Sequence, residues 1–401
     1  MELLRKWDCN VPTLRFAEFT DEWGKYELSH FVTRITRRNK NNESSLPLTI
    51  SAQYGLVDQI SFFNKTVASV DLSGYYLLYN GDFAYNKSYS NDYAWGAVKR
   101  LDKYEKGCLS SLYFVFRPND NVDSDYLTHY FESSKWHKGI SNIAGEGARN
   151  HGLLNMAVDD YFATKHYLPS LHEQKKIARF FNAITRRIEI QNKIIEDLKV
   201  LKKELCNDHF KSVLHDASLR YITLKEILTE RKEYCSKDGT YTHGTLSKEG
   251  VAPKTERYDR DFLVKNEDKQ YKVTHLNDIC YNPANLKFGV ICRNTYGDLI
   301  FSPIYVTFEI SDNVYPAYIE LFLTNPNFIG RIRRYEQGTV YERMAVSPEV
   351  FLSYETHIPA YEEQVEFANE MQCIQRKIEL ETAFLSSLQN QRRFFLNAMF
   401  I

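Results

Sequence analysis

The chain has 401 residues, of which 43% are hydrophobic and 14% aromatic, and its formal net charge is −1 at pH 7. This length and composition predict a folded, soluble protein with two or three domains, and they exclude a largely disordered chain. The near-zero charge excludes a uniformly basic surface, so any nucleic-acid-binding surface must be a local patch.

Residues 1–167 alternate short β-branched and aromatic runs with Gly, Asn, Asp and Pro, as in YYLLYNGDFAYN. This pattern predicts strands joined by loops. A helical stretch is predicted from Asp125 to Ser133. We therefore expect a first globular domain over residues 1–167.

A long helix is predicted over residues 168–215, starting with LPSLHEQKKIARFFNAITRRIEI. Ser170 and Glu173 fit a capping box with Ser170 as N-cap. Apolar residues then recur at alternating spacings of four and three, interrupted by polar Gln191 and Lys202, and they form one narrow seam suited to a single long partner helix. The seam residues are Ile177, Phe181, Ile184, Ile188, Ile195, Leu198 and Leu205.

The strand-and-loop pattern returns over residues 216–357, with a helical stretch from Pro316 to Thr324. Residues 358–401 then predict a second long helix. Its start, IPAYEEQVEFANEMQCIQRKIEL, matches the first helix at a constant offset of 190, with 8 of 23 positions identical. Its seam consists of Phe367, Met371, Ile374, Ile378, Leu385, Leu388 and Phe395, and polar Glu381 and Arg392 interrupt it at the two equivalent places.

Each stripe alone would suit an ordinary core helix of a bundle, but the in-phase duplication favours pairing of the two helices. Upstream, TISAQYGLV (Thr49 to Val57) is similar to TLSKEGVA (Thr245 to Ala252), and GDFAYN is similar to NDICYN. The expected fold class is α/β (mixed α+β): two globular domains separated by a pair of long antiparallel coiled-coil helices, with an internal pseudo-two-fold repeat. Such symmetry would match the dyad of duplex DNA.

The LPS-x-x-EQ helix start, its relaxed copy IPAYEEQ, the N-terminal VPTLRFAEFTDEW, the YNKS at Tyr85 to Ser88 and the end FLNAMFI resemble the specificity subunit of type I restriction-modification systems. The resemblance covers nearly the whole chain. It implies a non-catalytic subunit whose two target-recognition domains each read one half of a bipartite, gapped DNA sequence. The long helices would act as the spacer.

The resemblance also implies partners: double-stranded DNA, two methyltransferase subunits that methylate adenine at N6, and two ATP-dependent restriction and motor subunits. No cofactor is expected on this chain. S-adenosylmethionine, ATP and Mg²⁺ would be bound by the partner subunits. The outer helix faces, with Arg186, Arg187, Arg376 and Lys377, are candidates for docking the methyltransferases, although solvated helix flanks are the simpler interpretation.

Basic clusters are candidates for phosphate contacts, although each cluster alone is more often a solvated surface. The candidates in the first domain are Arg34, Arg37, Arg38 and Lys87, with KWHK at 135–138; those in the second are Lys287 and RIRR at 331–334.

Base reading requires polar side chains presented from loops into the major groove. The repeat-matched loops supply such candidates, and turn-forming roles are the alternative at Ser51, Gly55, Asn86 and Gly147. The candidates are Ser51, Gln53, Tyr54, Asn91 and Arg149 in the first domain, and Ser247, Lys248, Glu249, Asn285, Tyr341 and Arg343 in the second.

Enzyme motifs are missing from the sequence: it has no GxxxxGK[ST], HExxH or GxSxG, and its seven cysteines include no CxxC pair. YNPANL at Tyr281 to Leu286 lacks the second proline of an amino-methyltransferase motif, so we interpret it as a strand-end turn. No metal site is predicted. The remaining alternative is a coiled-coil protein-binding scaffold without DNA recognition.

The sequence also lacks a run of about 18 apolar residues, and its N-terminal segment lacks the features of a signal peptide. We therefore expect a cytoplasmic protein without membrane contact.

Overall fold

The computed structural model describes residues 10–65, 68–90, 93–145, 152–236, 240–248, 250–254, 270–336 and 345–401. The chain forms two compact units: Met1–Asn192 with Ala383–Ile401, and Lys193–Thr382. Each unit contains one globular head and parts of both long helices. The first head comprises residues 24–168 and the second head residues 220–358.

The first head is built from short strands and short helices. Its strands are β1 Gly24–Glu27, β2 Val32–Arg34, β3 Pro47–Ser51, β4 Gly55–Asp58, β5 Tyr76–Tyr79, β6 Phe83–Asn86, β7 Ala97–Arg100, β8 Lys106–Leu109, β9 Phe114–Pro118 and β10 Lys165–Leu168. Its helices are α1 Leu28–Phe31, α2 Gln59–Phe63, α3 Ser124–Tyr130, α4 His137–Ile143 and α5 Val158–Phe162. The first long helix, α6 Leu171–His215, follows directly.

The second head has most of the same elements in the same order. Its strands are β11 Arg220–Thr223, β12 Leu228–Glu230, β13 Tyr234–Cys235, β14 Thr242–Ser247, β15 Gly250–Pro253, β16 Tyr271–Thr274, β17 Ile279–Tyr281, β18 Ile291–Arg293, β19 Leu299–Phe301, β20 Val306–Ile310 and β21 Glu355–Ile358. Its helices are α7 Pro316–Leu323, α8 Pro326–Ile332 and α9 Pro348–Leu352, and the second long helix is α10 Tyr361–Ala398.

The sheets of the two heads have the same topology. The first head pairs β1 with β10 and forms sheets in the orders β2-β9-β6-β7 and β4-β3-β8-β5; the second pairs β11 with β21 and forms β12-β20-β17-β18 and β15-β14-β19-β16-β13. In both heads one pair is parallel, β3 with β8 and β14 with β19. The strand β13 is the addition in the second head. The predicted mixed α/β fold with an internal repeat is therefore confirmed.

Stacked aromatic rings form the centre of each head. Tyr85 stacks on Tyr161 with ring centroids 4.8 Å apart, and Tyr281 stacks on Phe351 at 4.9 Å. All four rings are buried. Because β6 and β17 are buried along most of their length, they read as near-continuous apolar runs rather than as alternating patterns.

A buried aspartate fixes the turn before each central strand. Asp82 accepts hydrogen bonds from the Tyr79 N–H and from the guanidinium groups of Arg37 and Arg117. Asp278 accepts from the His275 N–H and, through both oxygens, from Arg231. A buried carboxylate requires such charged partners, because desolvation otherwise opposes ionisation.

The start of α6 is tied to the first head. Ser170 Oγ accepts a hydrogen bond from the Glu173 N–H, as predicted for an N-cap. The Glu173 carboxylate does not complete the predicted capping box but forms a bidentate ion pair with Arg15, at 2.7 and 2.8 Å. A guanidinium offers this buried carboxylate a stronger partner than one backbone N–H does.

In the first unit, α6 and α10 run antiparallel. Phe180 packs on Phe395 with ring centroids 5.0 Å apart, and the Arg187 guanidinium lies over the Phe384 ring. Arg392, one of the polar seam positions, forms an ion pair with Glu132 of the head. The polar interruption of the stripe therefore has a partner outside the helix pair.

The second unit contains the same antiparallel pairing. Here the His209 ring stacks on Phe367 with centroids 3.6 Å apart, and Lys202 donates a hydrogen bond to Gln375 at 2.8 Å. Leu205 differs from the predicted seam: it is 39% exposed, and the neighbouring Cys206 is buried instead. A straight helix of 3.6 residues per turn drifts against a 3.5-residue repeat, so the buried stripe has moved by one position here.

The other predicted seam residues are buried or half-buried in their own units. The predicted helical domains at 168–215 and 358–401 correspond to α6 and α10, but the compact units divide both helices. Among the helices of the described residues, none combines the length and apolar character that crossing a membrane requires.

Candidate nucleic-acid interface

The turn between β3 and β4 presents side chains from the first head. Ser51 Oγ accepts a hydrogen bond from the Tyr54 N–H, so Ser51 holds the turn closed. Gly55 ends the turn at φ +79°, a conformation that a side chain would strain. Gln53 and Tyr54 are exposed between them. Of the candidate base readers here, Gln53 and Tyr54 are free to contact a ligand, whereas Ser51 shapes the turn.

Tyr54 belongs to a small exposed aromatic group. Its ring is 60% exposed and packs edge-on to Phe62 of α2, with centroids 6.3 Å apart, and Phe62 packs on Phe63. Neither phenylalanine is among the residues predicted from the sequence. The adjacent phenylalanines in SFF are the one sequence signal for this group. Their exposure, however, depends on their place in the very short helix α2, which the sequence does not predict.

The equivalent turn of the second head joins β14 to β15. Ser247 pairs with Gly250, which has φ +127°, and Lys248 is exposed in the turn. Glu249 lies outside the described residues. The two heads therefore carry turns of different length at the same place in the fold, three residues between Ser51 and Gly55 and two between Ser247 and Gly250. The described side chains differ too: an amide and a phenol in the first head and an ammonium in the second.

A second equivalent turn follows β6 and β17. Asn86 Oδ1 accepts from the Ser88 N–H, and Asn282 Oδ1 accepts from the Ala284 N–H, which are Asx turns. Asn282 is buried, so YNPANL is a strand-end turn, as interpreted from its sequence. Burial also raises the pKa of Tyr281, whose hydroxyl donates to the Val346 carbonyl.

A lysine lies within the first Asx turn, and another lies shortly after the second. The Lys87 ammonium lies 4.7 Å from the centre of the Phe114 ring, and the Lys287 ammonium lies 5.3 Å from the Phe288 ring. Asn285 is exposed at the start of the short 3₁₀ turn that contains Lys287. A cation–π contact orients an ammonium without neutralising it, so both lysines retain charge for a phosphate.

The three arginines of RITRRNK differ in their surroundings. Arg34 is the most exposed and forms only a loose ion pair with Asp159, at 3.6 Å. Arg37 binds buried Asp82 and the Leu77 carbonyl. Arg38 donates to the Gly74 carbonyl and lies over the Tyr76 ring. Arg34 is thus available for DNA, whereas Arg37 and Arg38 stabilise the head.

The clusters KWHK and RIRR line a pocket in their respective heads. In the first head, strand pairing adds Lys25 of β1 and Lys165 of β10 to Lys135 and Lys138. Lys25 and Lys165 are not among the residues predicted from the sequence. No local signal could have found them, because about 140 residues separate the two strands that bring them together.

Four candidate base readers besides Glu249 lie outside the described residues: Asn91, Arg149, Tyr341 and Arg343. They stay predictions. Within the described part of the chain, no group of three or more His, Cys, Asp or Glu side chains is placed to hold a metal ion.

One family model matches a segment in the first half of the chain. Residues 35–200 match the family model described as the type I restriction modification DNA specificity domain. This range covers most of the first head and the first part of α6. No curated protein sequence matches the chain.

Solved structures of S subunits share the fold over nearly the whole chain. The HsdS subunit from Thermoanaerobacter tengcongensis is 15% identical, with 94% of this chain and 96% of that chain covered and a TM-score of 0.50. The type I restriction-modification S subunit from M. genitalium is 14% identical, with 98% and 99% covered and a TM-score of 0.52.

A third structure, which describes complex assembly and conformational transition of the type I R-M system, is 15% identical, with 94% and 96% covered and a TM-score of 0.55. At these identities the likeness concerns the fold. The family match over residues 35–200 and the fold likeness over nearly the whole chain point to the same family of S subunits.

Proposed function

We propose that each head of this chain reads one half of a bipartite, gapped DNA sequence. The observation that carries the proposal is the duplication of one head topology with different side chains on the equivalent turns. Gln53 and Tyr54 occupy the turn in the first head and Lys248 occupies it in the second. Amide and ammonium groups recognise different base edges, so the two heads would read different half-sites.

The long helices would set the spacing between the half-sites. The 45 residues of α6 correspond to about 67 Å of helix at about 1.5 Å per residue. Reading heads on one DNA face prefer centres about 34 to 36 Å apart or multiples of this distance. A helix of this length can set such a spacing.

The helices would also dock the methyltransferase subunits. Large apolar side chains are exposed on both of them, and such exposed apolar surface on a long helix is typical of protein-contact sites. In the first unit these side chains include Ile190, Phe384 and Phe394, and in the second Ile194, Val200, Leu201, Leu205 and Leu380.

The four charged candidates for docking differ in how free their side chains are. Arg186 and Arg376 are exposed, whereas Arg187 covers the Phe384 ring and Lys377 pairs with Glu381 one turn along the helix. We therefore expect the apolar residues, with Arg186 and Arg376 at their margins, to carry the docking.

The catalytic chemistry would belong to the partners. In this proposal two methyltransferase subunits supply adenine-N6 methylation with S-adenosylmethionine, and two restriction subunits supply ATP- and Mg²⁺-dependent translocation and cleavage. The chain itself would bind duplex DNA, hold no cofactor and work in the cytoplasm, where cellular DNA is accessible.

The test is to co-express the chain with its candidate methyltransferase subunit in a host lacking adenine methylation and to map N6-methyladenine across the genome. We expect a single two-part motif with a fixed gap. If the complex is assembled and the methyltransferase is active but no motif appears, the scaffold alternative replaces this proposal.

A further inference from the structure

A basic pocket of about 550 Å³ lies at one side of the first head. Strands β1 and β10 and helices α4 and α5 surround it. Among the described residues, Lys135, Lys138 and Lys165 form no ion pair, and Asp160 is the acidic side chain of the lining. The Lys25 ammonium lies 5.1 Å from the centre of the Tyr167 ring. The pocket therefore holds more cations than anions.

Neutral groups form the floor of this pocket. The Tyr130 hydroxyl and the Thr164 hydroxyl each lie 2.8 Å from a ring nitrogen of His166. Burial lowers the pKa of His166 to about 4, so the ring is neutral at pH 7. The floor is thus fixed in geometry and adds no charge that would offset the lysines.

A second basic pocket, of about 430 Å³, lies in the second head. Its cations are Arg331 and Arg334, which form no ion pair within the described chain. Glu355 lines the pocket too, and it accepts a hydrogen bond from the Tyr221 hydroxyl at 2.5 Å. Here again the cations outnumber the anions.

The two pockets occupy the same place in the repeated fold. Helix α4 corresponds to α8, the end of α5 to the end of α9, β10 to β21 and β1 to β11, and each of these pairs contributes to the two linings. The side chains have changed: Lys165 of β10 corresponds to Glu355 of β21. The cations also sit at different points, with Lys135 and Lys138 before and near the start of α4 in the first head and Arg331 and Arg334 near and after the end of α8 in the second. Net positive charge persists although individual residues do not.

A feature common to both heads is suited to a ligand common to both half-sites. Bases differ between half-sites, whereas phosphates are the same throughout duplex DNA. Like charges held close together repel one another, and a bound phosphate relieves this repulsion. Lysine binds a phosphate as a point charge and arginine binds it through a fork, so both linings can serve.

We propose that the two equivalent pockets each receive a backbone phosphate and anchor their head on the DNA independently of sequence. This inference rests on the proposed function, because it requires that both heads bind DNA. An acidic protein partner present in two copies is the competing occupant.

The experiment uses the full chain assembled with its methyltransferase subunit and measures the Kd for labelled duplexes over a range of salt concentrations. The first variant is K135Q/K138Q and the second is R331Q/R334Q. Each should lower the slope of log Kd against log salt by about 1 to 2. Each variant should also raise the Kd for cognate and scrambled duplexes by the same factor. The methylated sequence motif should stay unchanged.

Matched controls exclude a general charge effect and a folding defect. K103Q and K225Q remove exposed lysines outside the two linings and should leave the slope unchanged. K135R/K138R retains the charge and should behave as the unmodified chain.

The outcomes separate the two levels of the proposal. Unchanged slopes in both double variants overturn the phosphate pockets and leave the proposed function standing. If the double variants lose the methyltransferase subunit while the remaining complex keeps its DNA affinity, the phosphate pockets are overturned. An acidic protein partner is then the occupant of the pockets. Absence of DNA binding by the unmodified assembled complex overturns the proposed function itself.

Discussion

Gln364 makes the same two hydrogen bonds as Gln174, 190 residues earlier. Gln174 donates to the Pro169 carbonyl and accepts from the backbone N–H of Asp123, the residue that caps α3. Gln364 donates to the Pro359 carbonyl and accepts from the N–H of Tyr315, at the same place before α7. The glutamine of the EQ motif thus joins each long helix to the helix that begins beside it.

We predict that Gln364→Ala destabilises the second unit. The substitution leaves a buried carbonyl and a part-buried N–H without partners, and each such group costs about 1 to 3 kcal/mol. Urea unfolding followed by circular dichroism measures the change. Gln389→Ala, at an exposed position of the same helix, is the control and should change stability by less than about 0.5 kcal/mol. Equal stability of the two variants would contradict the structural role of Gln364.

Arg15→Ala should destabilise the first unit by about 3 to 5 kcal/mol, because it leaves the buried Glu173 carboxylate without its ion-pair partner. The double variant Arg15→Met with Glu173→Leu removes both charges and should cost less than Arg15→Ala alone. Thermal unfolding of the two variants provides the comparison. A double variant less stable than the single one would show that Glu173 is not the cause.

The stability of the first unit should depend on pH through His166. The unfolded chain takes up a proton on this histidine near pH 6.5, whereas burial keeps the folded pKa at about 4. The stabilising contribution of the neutral ring is therefore fully present above about pH 6.5 and is lost as the pH falls toward about 4.

The difference in unfolding free energy between the unmodified chain and His166→Gln should accordingly shrink over that pH range. His215→Gln, at the exposed end of α6, is the control for removing a histidine from the surface of the chain. A constant difference for His166→Gln would mean that His166 is protonated at the same pH in both states.

Substitutions on the two turns should change different halves of the recognised sequence. Gln53→Ala is expected to relax one or two base positions in one half-site, and Lys248→Ala in the other, because each lost base contact costs about 1 to 3 kcal/mol of discrimination. Methylation mapping of each variant shows which positions relax. Both substitutions altering the same half-site would contradict the assignment of one half to each head.

Lengthening both helices together should widen the gap between the half-sites. We propose inserting seven helical residues between Asn192 and Lys193 and seven between Thr382 and Ala383, where the compact units divide the chain. A site near His209 is unsuitable because its ring stacks on Phe367. The insertion adds about 10 Å of helix, equivalent to about three base pairs at about 3.4 Å each.

The measurement is the gap in the methylated motif. An insertion into α6 alone is the control, and it should abolish methylation because the two seams no longer match. An unchanged gap in the doubly lengthened chain would show that the helices do not set the spacing.

The sequence predicted the features that depend on short-range periodicity along a helix and on the internal repeat. The seams of α6 and α10 follow from helical periodicity, and the constant offset between Gln174 and Gln364 predicted the repeated helix start. Leu205 shows the limit of that approach. A heptad extrapolated over many turns misplaces the buried stripe by one residue where the helix is straight.

Contacts between distant segments could not be predicted. Lys25 and Lys165 reach one pocket because β1 pairs with β10, and no local pattern specifies which strands pair. Arg37 looked like a surface charge among RITRRNK, yet its guanidinium binds Asp82, 45 residues later. The local sequence pattern indicates which face of a helix or strand is apolar. Which strands pair, and which charged side chains form ion pairs, depends on the tertiary structure.

The last residues of α10 and those after it belong to the first unit. Leu396, Met399 and Phe400 are part of the core that contains Trp23 and Phe181, and the Leu14 N–H donates to the Ala398 carbonyl. During synthesis the second unit is therefore complete once Thr382 has emerged from the ribosome, while the first unit still lacks part of its core. The half of the protein whose translation begins first is the half whose core residues are all available last.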